Sequence, residues 1–179
     1  MPGMTTYVAF LRAINLGATQ KFPKAAIVAA TEAAGFTGVA THINTGNVRL
    51  ETPMRSRARI EEALEKAYLD DRGFDVPTMT FTCAELVAIV AEADRLGAGH
   101  DGRHYVSLLK HEPTSDLVTA LETRSTQHER VVVVGRAVHL LLGESYDQAT
   151  LSNAAVEKQL GPATNRNVTV MRALVQKWC

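Results

Sequence analysis

The 179-residue sequence predicts an α+β protein with two halves of related topology. Apolar strand-like segments and amphipathic helix-like segments alternate over the first half in the order β-α-β-β-α-β. This is the order of a ferredoxin-like unit. After a glycine-rich stretch the pattern recurs as β-α-β-β-α, followed by a terminal helix. We therefore predict a ferredoxin-like α+β subdomain over residues 1–96 and a second α+β subdomain with a C-terminal helix over residues 97–179.

Proline, glycine and turn-forming residues mark the ends of the helices and strands in the first half. Pro23 suits the first turn of a helix, and Gly35 suits its end. Residues 44–46, Asn-Thr-Gly, tolerate positive φ and predict a hairpin. Pro77 places the fourth strand at a sheet edge, because proline has no N–H for the ladder. The predicted strands are 7–11, 39–43, 47–50 and 76–81, and the predicted helices are 23–34 and 57–72.

The second half begins after a helix that the capping-box pair Thr82 and Glu85 predicts. Gly135-Arg136 predicts a two-residue hairpin turn. Gly161-Pro162 is a strong helix stop, so residues 163–167 are predicted to connect two helices, with Asn165 or Asn167 as the next N-cap. The predicted strands are 105–109, 130–134 and 137–142, and the predicted helices are 115–121, 153–160 and 168–178.

Composition excludes several functional classes. Apolar residues make up 46% of the chain, which is ample for a core, and the formal net charge is zero. Zero net charge argues against nucleic acid as a partner and against a membrane-surface role. No apolar run approaches the roughly 20 residues that a membrane helix needs, and the N-terminus lacks a signal-peptide pattern. We therefore expect a cytoplasmic protein in which Cys83 and Cys179 are free thiols.

Three polar clusters stand out against this ordinary background. The first strand runs into Arg12 and Asn15, the hairpin carries Gly46 and Asn47, and the 163–167 connection carries Arg166-Asn167. In a βαββαβ sheet the first and third strands are central and antiparallel. The end of the first strand therefore lies beside the start of the third. We predict that the three clusters form one polar site.

The residue types in these clusters suit the binding of an anion. An arginine fork and several amides offer directed hydrogen bonds to a carboxylate, a phosphate or a nucleobase. The exposed N–H groups at the start of a helix add to this capacity near Arg166. A purely structural role, in which these side chains tie loop carbonyls across the sheet edge, explains the same residues.

Other motifs carry little chemistry. His100 and His104 have i,i+4 spacing, but Gly102 between them predicts a loop, so no metal site is expected. Gly143-Glu144-Ser145 lacks the second glycine of a nucleophile elbow. The sequence contains no P-loop and no GxGxxG motif, and no cofactor is identified.

The polar clusters also carry a family resemblance, which extends over nearly the whole length. The motifs are Leu11–Gly17 (LRAINLG), a helix from Pro23 to Gly35-Phe36, the Thr45-Gly46-Asn47 hairpin and Thr164–Asn167 (TNRN). In these motifs the chain resembles the uncharacterised bacterial proteins grouped as domain of unknown function 1697. It departs from their pattern at Ala18, Thr45, Val168 and Val170, and over residues 93–96. The resemblance implies an α+β fold with ferredoxin-like halves and brings no assigned activity.

Three functional hypotheses follow. The first is the binding of a small anionic or nucleotide-like ligand by Arg12, Asn15, Gly46, Asn47, Arg166 and Asn167. The second is an enzyme of unknown reaction on the same site, for which His42 is the nearby candidate base. The third is an RNA-associated module, which zero net charge disfavours. We favour ligand binding.

Overall fold

The structure, a computed structural model, describes residues 3–144 and 146–179. It divides into two compact units. The first unit contains the chain up to Glu85 together with Trp178, and the second contains Leu86–Lys177 and Cys179. Each unit holds a four-stranded antiparallel sheet with helices between its strands. The predicted α+β class with repeated halves is confirmed.

The first unit has the strand order β2-β3-β1-β4, with β1 and β3 central and antiparallel, as the sequence predicts. β4 is an edge strand, also as predicted from Pro77. The elements are β1 (Thr5–Leu11), α1 (Lys24–Ala33), β2 (Thr37–Thr41), β3 (Asn47–Thr52), α2 (Arg57–Arg72), β4 (Thr78–Thr82) and α3 (Cys83–Gly97), the last of which continues into the second unit.

The core of the first unit lies between the sheet and helices α1 and α2. Alternate residues of β1 point to this side of the sheet, because successive side chains of a strand face opposite ways. Tyr7, Ala9 and Leu11 are buried there against Ile60 and Leu64 of α2. Tyr68 of α2 is fully buried as well, with its ring edge-on to Phe22.

Carboxylates of α2 cover the outer edge of β4. The Thr80 amide and hydroxyl donate to Glu61 Oε2 over 2.7 and 2.9 Å. The Thr78 amide donates to Glu65 Oε1 over 3.0 Å. An edge strand presents a row of N–H groups that invites pairing with another chain. These glutamates occupy that row and fix α2 along the strand.

The second unit has the strand order β6-β7-β5-β8. Its fourth strand, β8, was not predicted, because Ala163–Asn167 has the polar composition of a connection. With β8 the second unit completes the same βαββαβ order as the first. The elements are β5 (His104–Leu109), α4 (Ser115–Glu122), β6 (Arg130–Val134), β7 (Ala137–Leu141), a 3₁₀ turn (Tyr146–Gln148), α5 (Asn153–Leu160), β8 (Ala163–Asn167) and α6 (Val168–Trp178).

The expectation of free thiols is wrong, since both Cys83 and Cys179 are disulfide-bonded. The expectation depended on the lack of a signal-peptide pattern, which bears on the compartment and does not determine whether two cysteines are close in the fold. Among the described residues, no helix has both the length and the apolar character that crossing a bilayer requires.

Candidate functional site

Two loops of the first unit meet where β1 ends and β3 begins. We call residues 12–22 and 42–47 together the loop cluster. Phe10 is paired with Asn47 in the β1–β3 register, and the Leu11 amide donates to the Gly46 carbonyl over 2.9 Å. The sheet register therefore brings Arg12, Asn15, Gly46 and Asn47 to one edge, as the topology argument predicts.

Asn15 ties the two loops together. Its Nδ2 donates to the carbonyl oxygens of Phe22, at 2.9 Å, and Asn44, at 2.8 Å. Its Oδ1 accepts from the Phe22 amide over 2.7 Å. One side chain thus closes the first loop and joins it to the second. Asn15 is a positioning residue for the cluster, the role that the structural alternative anticipated.

Gly46 and Asn47 shape the second loop. Asn47 is fully buried, and its Nδ2 donates to the His42 carbonyl and to Thr45 Oγ1, each over 3.0 Å. Gly46 has a φ of 86°, and a Cβ at this position would lie 2.7 Å from Leu11 Cβ. Only glycine fits so close to β1 in this conformation.

The backbone of the loop cluster is unusually strained. Within residues 3–144 and 146–179, the non-glycine residues with positive φ are Ala13 (59°), Asn15 (55°), Gln20 (49°) and Ile43 (51°), and all of them belong to this cluster. Asparagine tolerates this region, but a β-branched residue such as Ile43 is a genuine outlier. Strain of this kind persists only where surrounding contacts over-determine it, and it concentrates at functional sites.

The charged side chains that the two loops carry are cationic. Arg12 follows β1 directly; it is half-buried, and its amide donates to the Pro77 carbonyl over 2.9 Å. Neither loop contains an aspartate or a glutamate. Lys21 adds a second cation. The Arg72 guanidinium, which is paired with Asp71 over 2.8 Å, lies 5.2 Å from the Phe22 ring centroid and donates to the Lys21 carbonyl.

The cluster also exposes apolar surface. Leu16 and Ile43 are exposed by 61% and 40% respectively, which places them among the most exposed large apolar side chains described. Each is next in sequence to one of the residues, Asn15 and Asn44, whose hydrogen bond joins the loops. Positive charge and apolar surface therefore occur together on the cluster.

His42 was the candidate base for an enzyme. It is half-buried, and its ring lies edge-on to Trp178 with the centroids 6.3 Å apart. Its amide donates to the Asn47 carbonyl, which continues the β2–β3 pairing into the hairpin. These contacts describe a packed loop residue.

Arg166 and Asn167 lie in the second unit, at the end of β8. Arg166 is 6% exposed, and its Nη1 donates to Thr164 Oγ1 and to the Asn165 carbonyl, each over 2.8 Å. Burial lowers the pKa of its guanidinium to about 10. Asn167 is the N-cap of α6, since its Oδ1 accepts from the Thr169 amide over 2.8 Å. The cap that the sequence predicts is confirmed.

A cavity of about 310 Å³ in the second unit borders Asn167. Its wall includes His100, Arg103 and Arg172. Arg172 is already paired with Asp94 at 2.6 Å, and Arg103 Nε donates to the Glu144 carbonyl over 3.0 Å. Within residues 3–144 and 146–179, no group of three or more His, Cys, Asp or Glu side chains is arranged to hold a metal ion.

Besides strand β8 and the disulfide-bonded cysteines, sequence reasoning missed two features that involve polar or strained residues. The strain at Ala13, Gln20 and Ile43 has no signature, because none of these residue types marks a positive φ. The second feature is the pairing of two buried histidines, His104 and His139. The His100/His104 spacing drew attention to His104, but nothing in the sequence pairs His104 with His139, which lies 35 residues further along the chain.

The fold and the loop cluster define an α+β protein of two ferredoxin-like units with a strained polar edge. The chain belongs to the family described as protein of unknown function (DUF1697), whose profile matches residues 4–139. A solved structure described as a conserved bacterial protein from Streptococcus pneumoniae is similar, with a TM-score of 0.76 and 18% sequence identity. The match covers 97% of this chain and 98% of that one, and it supports the fold. No curated protein matches the chain at a significant level.

Proposed function

We propose that this protein binds a small anionic, nucleotide-like ligand at the loop cluster, with Arg12 as its cationic contact. The observation that carries the proposal is the concentration of backbone strain. The described non-glycine residues with positive φ all fall in the loops that bear Arg12 and Gly46. Each such residue costs roughly 1–3 kcal/mol, so a strained loop pair of this kind is expected where it serves a function.

The chemistry of the cluster supports a ligand with a charged part and an apolar part. Arg12 and Lys21 supply positive charge in loops that contain no carboxylate. A guanidinium binds a phosphate or carboxylate bidentately. The exposed Leu16 and Ile43 side chains offer apolar contact to a base or a similar planar group. Asn15 and Asn47 hold the two loops in place, so we assign them positioning roles.

The proposal keeps Arg166 and Asn167 as predicted ligand contacts on sequence grounds. Asn167→Ser tests this part separately, because a serine hydroxyl can still accept the hydrogen bond from the Thr169 amide and cap α6. A weaker affinity without a loss of thermal stability would support a ligand contact. Unchanged affinity would remove Asn167 from the site and leave the loop cluster as proposed.

The proposal is tested by a thermal-shift screen with inorganic phosphate, AMP, a sugar phosphate and citrate. The variant is Arg12→Gln, and the matched control is Arg59→Gln, which removes an exposed arginine of α2. We expect AMP to raise the Tm of the wild type and of the Arg59 variant, and to have little effect on the Arg12 variant. Equal shifts in all three proteins, or none with any probe, would contradict the proposal.

A further inference from the structure

Two histidines of the second unit lie together on one face of the sheet. His139 on β7 is paired with Val106 on β5, so His104, two residues before Val106, is its diagonal neighbour. The two ring centroids are 6.0 Å apart. This is within the reach of diagonal pairs on adjacent strands.

Both imidazoles are buried without the hydrogen bonds that buried polar groups need. His139 is fully buried and His104 is 8% exposed. Within the described part of the chain, His104 Nε2 and both ring nitrogens of His139 have no hydrogen-bond partner. A buried polar group in this condition already carries a desolvation cost, and a positive charge on it would cost far more. The pair is therefore held neutral by its surroundings.

The charged groups around the pair do not compensate an added proton. Helix α3 contributes Glu92, Asp94 and Arg95, and α6 contributes Arg172. The acids are already engaged, Glu92 with Arg95 and Asp94 with Arg172. The other charged or titratable groups on this side are His100, which precedes β5, Arg166, which is in register with Val106 on β8, and Arg130, which is in register with Leu141 on β6.

We propose that His104 and His139 form an acid-sensitive switch. Protonation of either imidazole favours an open form of the second unit, in which the sheet face formed by β5 and β7 is exposed to solvent. The closed face excludes the water that a charged imidazole requires. Opening exposes both rings to solvent and allows them to take up protons. Acid thus selects the open form by mass action.

The pH dependence of opening follows from the difference in histidine pKa between the closed and open forms. Burial lowers the pKa of each histidine from 6.5 to about 4. The His100 imidazole lowers the pKa of His104 further, and the His104 imidazole lowers that of His139. A depressed pKa gives stability that is complete above pH 6.5 and is lost as the pH falls towards 4. Between pH 7 and pH 5, the opening equilibrium should rise about 20-fold for each histidine.

Hydrogen exchange measures this opening directly. Peptides that span β5 and β7 are followed by mass spectrometry at pH 7, 6 and 5, with rates corrected for intrinsic exchange. The variant is His139→Leu, and the control is His128→Leu, which replaces an exposed histidine. Between pH 7 and pH 5, we expect the opening equilibrium of the His139 variant to rise about 20-fold less than that of the wild type. The His128 variant should follow the wild type, and peptides of β1 and β3 should not respond.

Equal pH dependence in the wild type and the His139 variant would overturn the proposal, as would an equal response of β1 and β3. A second measurement does not depend on how the variant folds. In the wild-type protein, an NMR titration of the histidine ring carbons should show His104 and His139 still neutral at pH 5.5. Ordinary titration of both buried rings near pH 6.5 would refute the switch.

Discussion

Replacing Glu61 by alanine should destabilise the first unit more than any exposed substitution on α2. The Glu61 side chain lies beside β4, is almost completely buried, and accepts from the Thr80 amide over 2.7 Å and from the Thr80 hydroxyl over 2.9 Å. Arg57 Nε lies 3.9 Å from the same carboxylate oxygen. Alanine removes the acceptor and leaves the Thr80 groups at a sheet edge from which the helix excludes much of the solvent.

The expected loss in the free energy of unfolding of Glu61→Ala follows from these contacts. A hydrogen bond to a charged group contributes roughly 1.5–3 kcal/mol, and a buried donor left without a partner costs about 1–3 kcal/mol. The two Thr80 bonds share one oxygen, so we do not add their full values, and we expect a loss of about 3 kcal/mol. For a chain of this length, a loss of that size corresponds to a fall in Tm of roughly 6–12 °C.

Urea denaturation and thermal scanning of three variants test this reasoning. Glu62→Ala is the matched control, because Glu62 is the next residue on α2 and is exposed. It should change stability by less than about 0.5 kcal/mol. Glu61→Gln keeps an acceptor without the charge and should fall between the two. If Glu61→Ala proves no more destabilising than Glu62→Ala, the account of how β4 is protected is wrong.

Two further predictions concern the first unit. Gly46→Ala should lower the free energy of unfolding, measured by urea denaturation, by about 3 kcal/mol or more, because the new Cβ would lie 2.7 Å from Leu11 Cβ. The control is Gly17→Ala, which also has a positive φ but has open space around it and should lose about 1 kcal/mol. Equal losses in the two variants would contradict this. Tyr68→Phe should cost about 1 kcal/mol by removing the buried 2.8 Å bond to Thr31. Burial raises the pKa of Tyr68, so the difference should narrow above about pH 10 as tyrosine ionises in the unfolded chain; a constant difference would refute this.

Much of the fold was predictable because local signals agreed with the global topology. The Asn-Thr-Gly turn and the alternating strands on either side fixed the β2–β3 hairpin, and Pro77 placed β4 at the edge. The box formed by Thr82 and Glu85 is present, with the Glu85 amide donating to Thr82 Oγ1 over 3.2 Å and the Thr82 amide donating to Glu85 Oε1 over 3.0 Å. Where pattern, propensity and turn chemistry coincide, the sequence determines the element.

The features that the sequence did not predict share a physical cause, because each depends on contacts between residues that are far apart in the chain. Strand β8 is built from Ala163–Asn167, a segment of low intrinsic strand preference that is recruited by pairing with β5. The sequence located Arg12, Asn15, Gly46 and Asn47 at one edge, but it did not reveal that both asparagine side chains are committed to holding loop carbonyls. Hydrogen-bond partners many residues apart leave no local pattern.

The proposed ligand site is tested most directly by titrating ¹⁵N-labelled protein with AMP and following the backbone amides. Binding at the loop cluster predicts saturable shifts that are concentrated in residues 12–22 and 42–47. Those shifts should be absent from the Arg12→Gln variant and present in the Arg59→Gln control. If the amides of these loops do not move at millimolar AMP, or move equally in the Arg12 variant, the loop cluster is not the anion site proposed here.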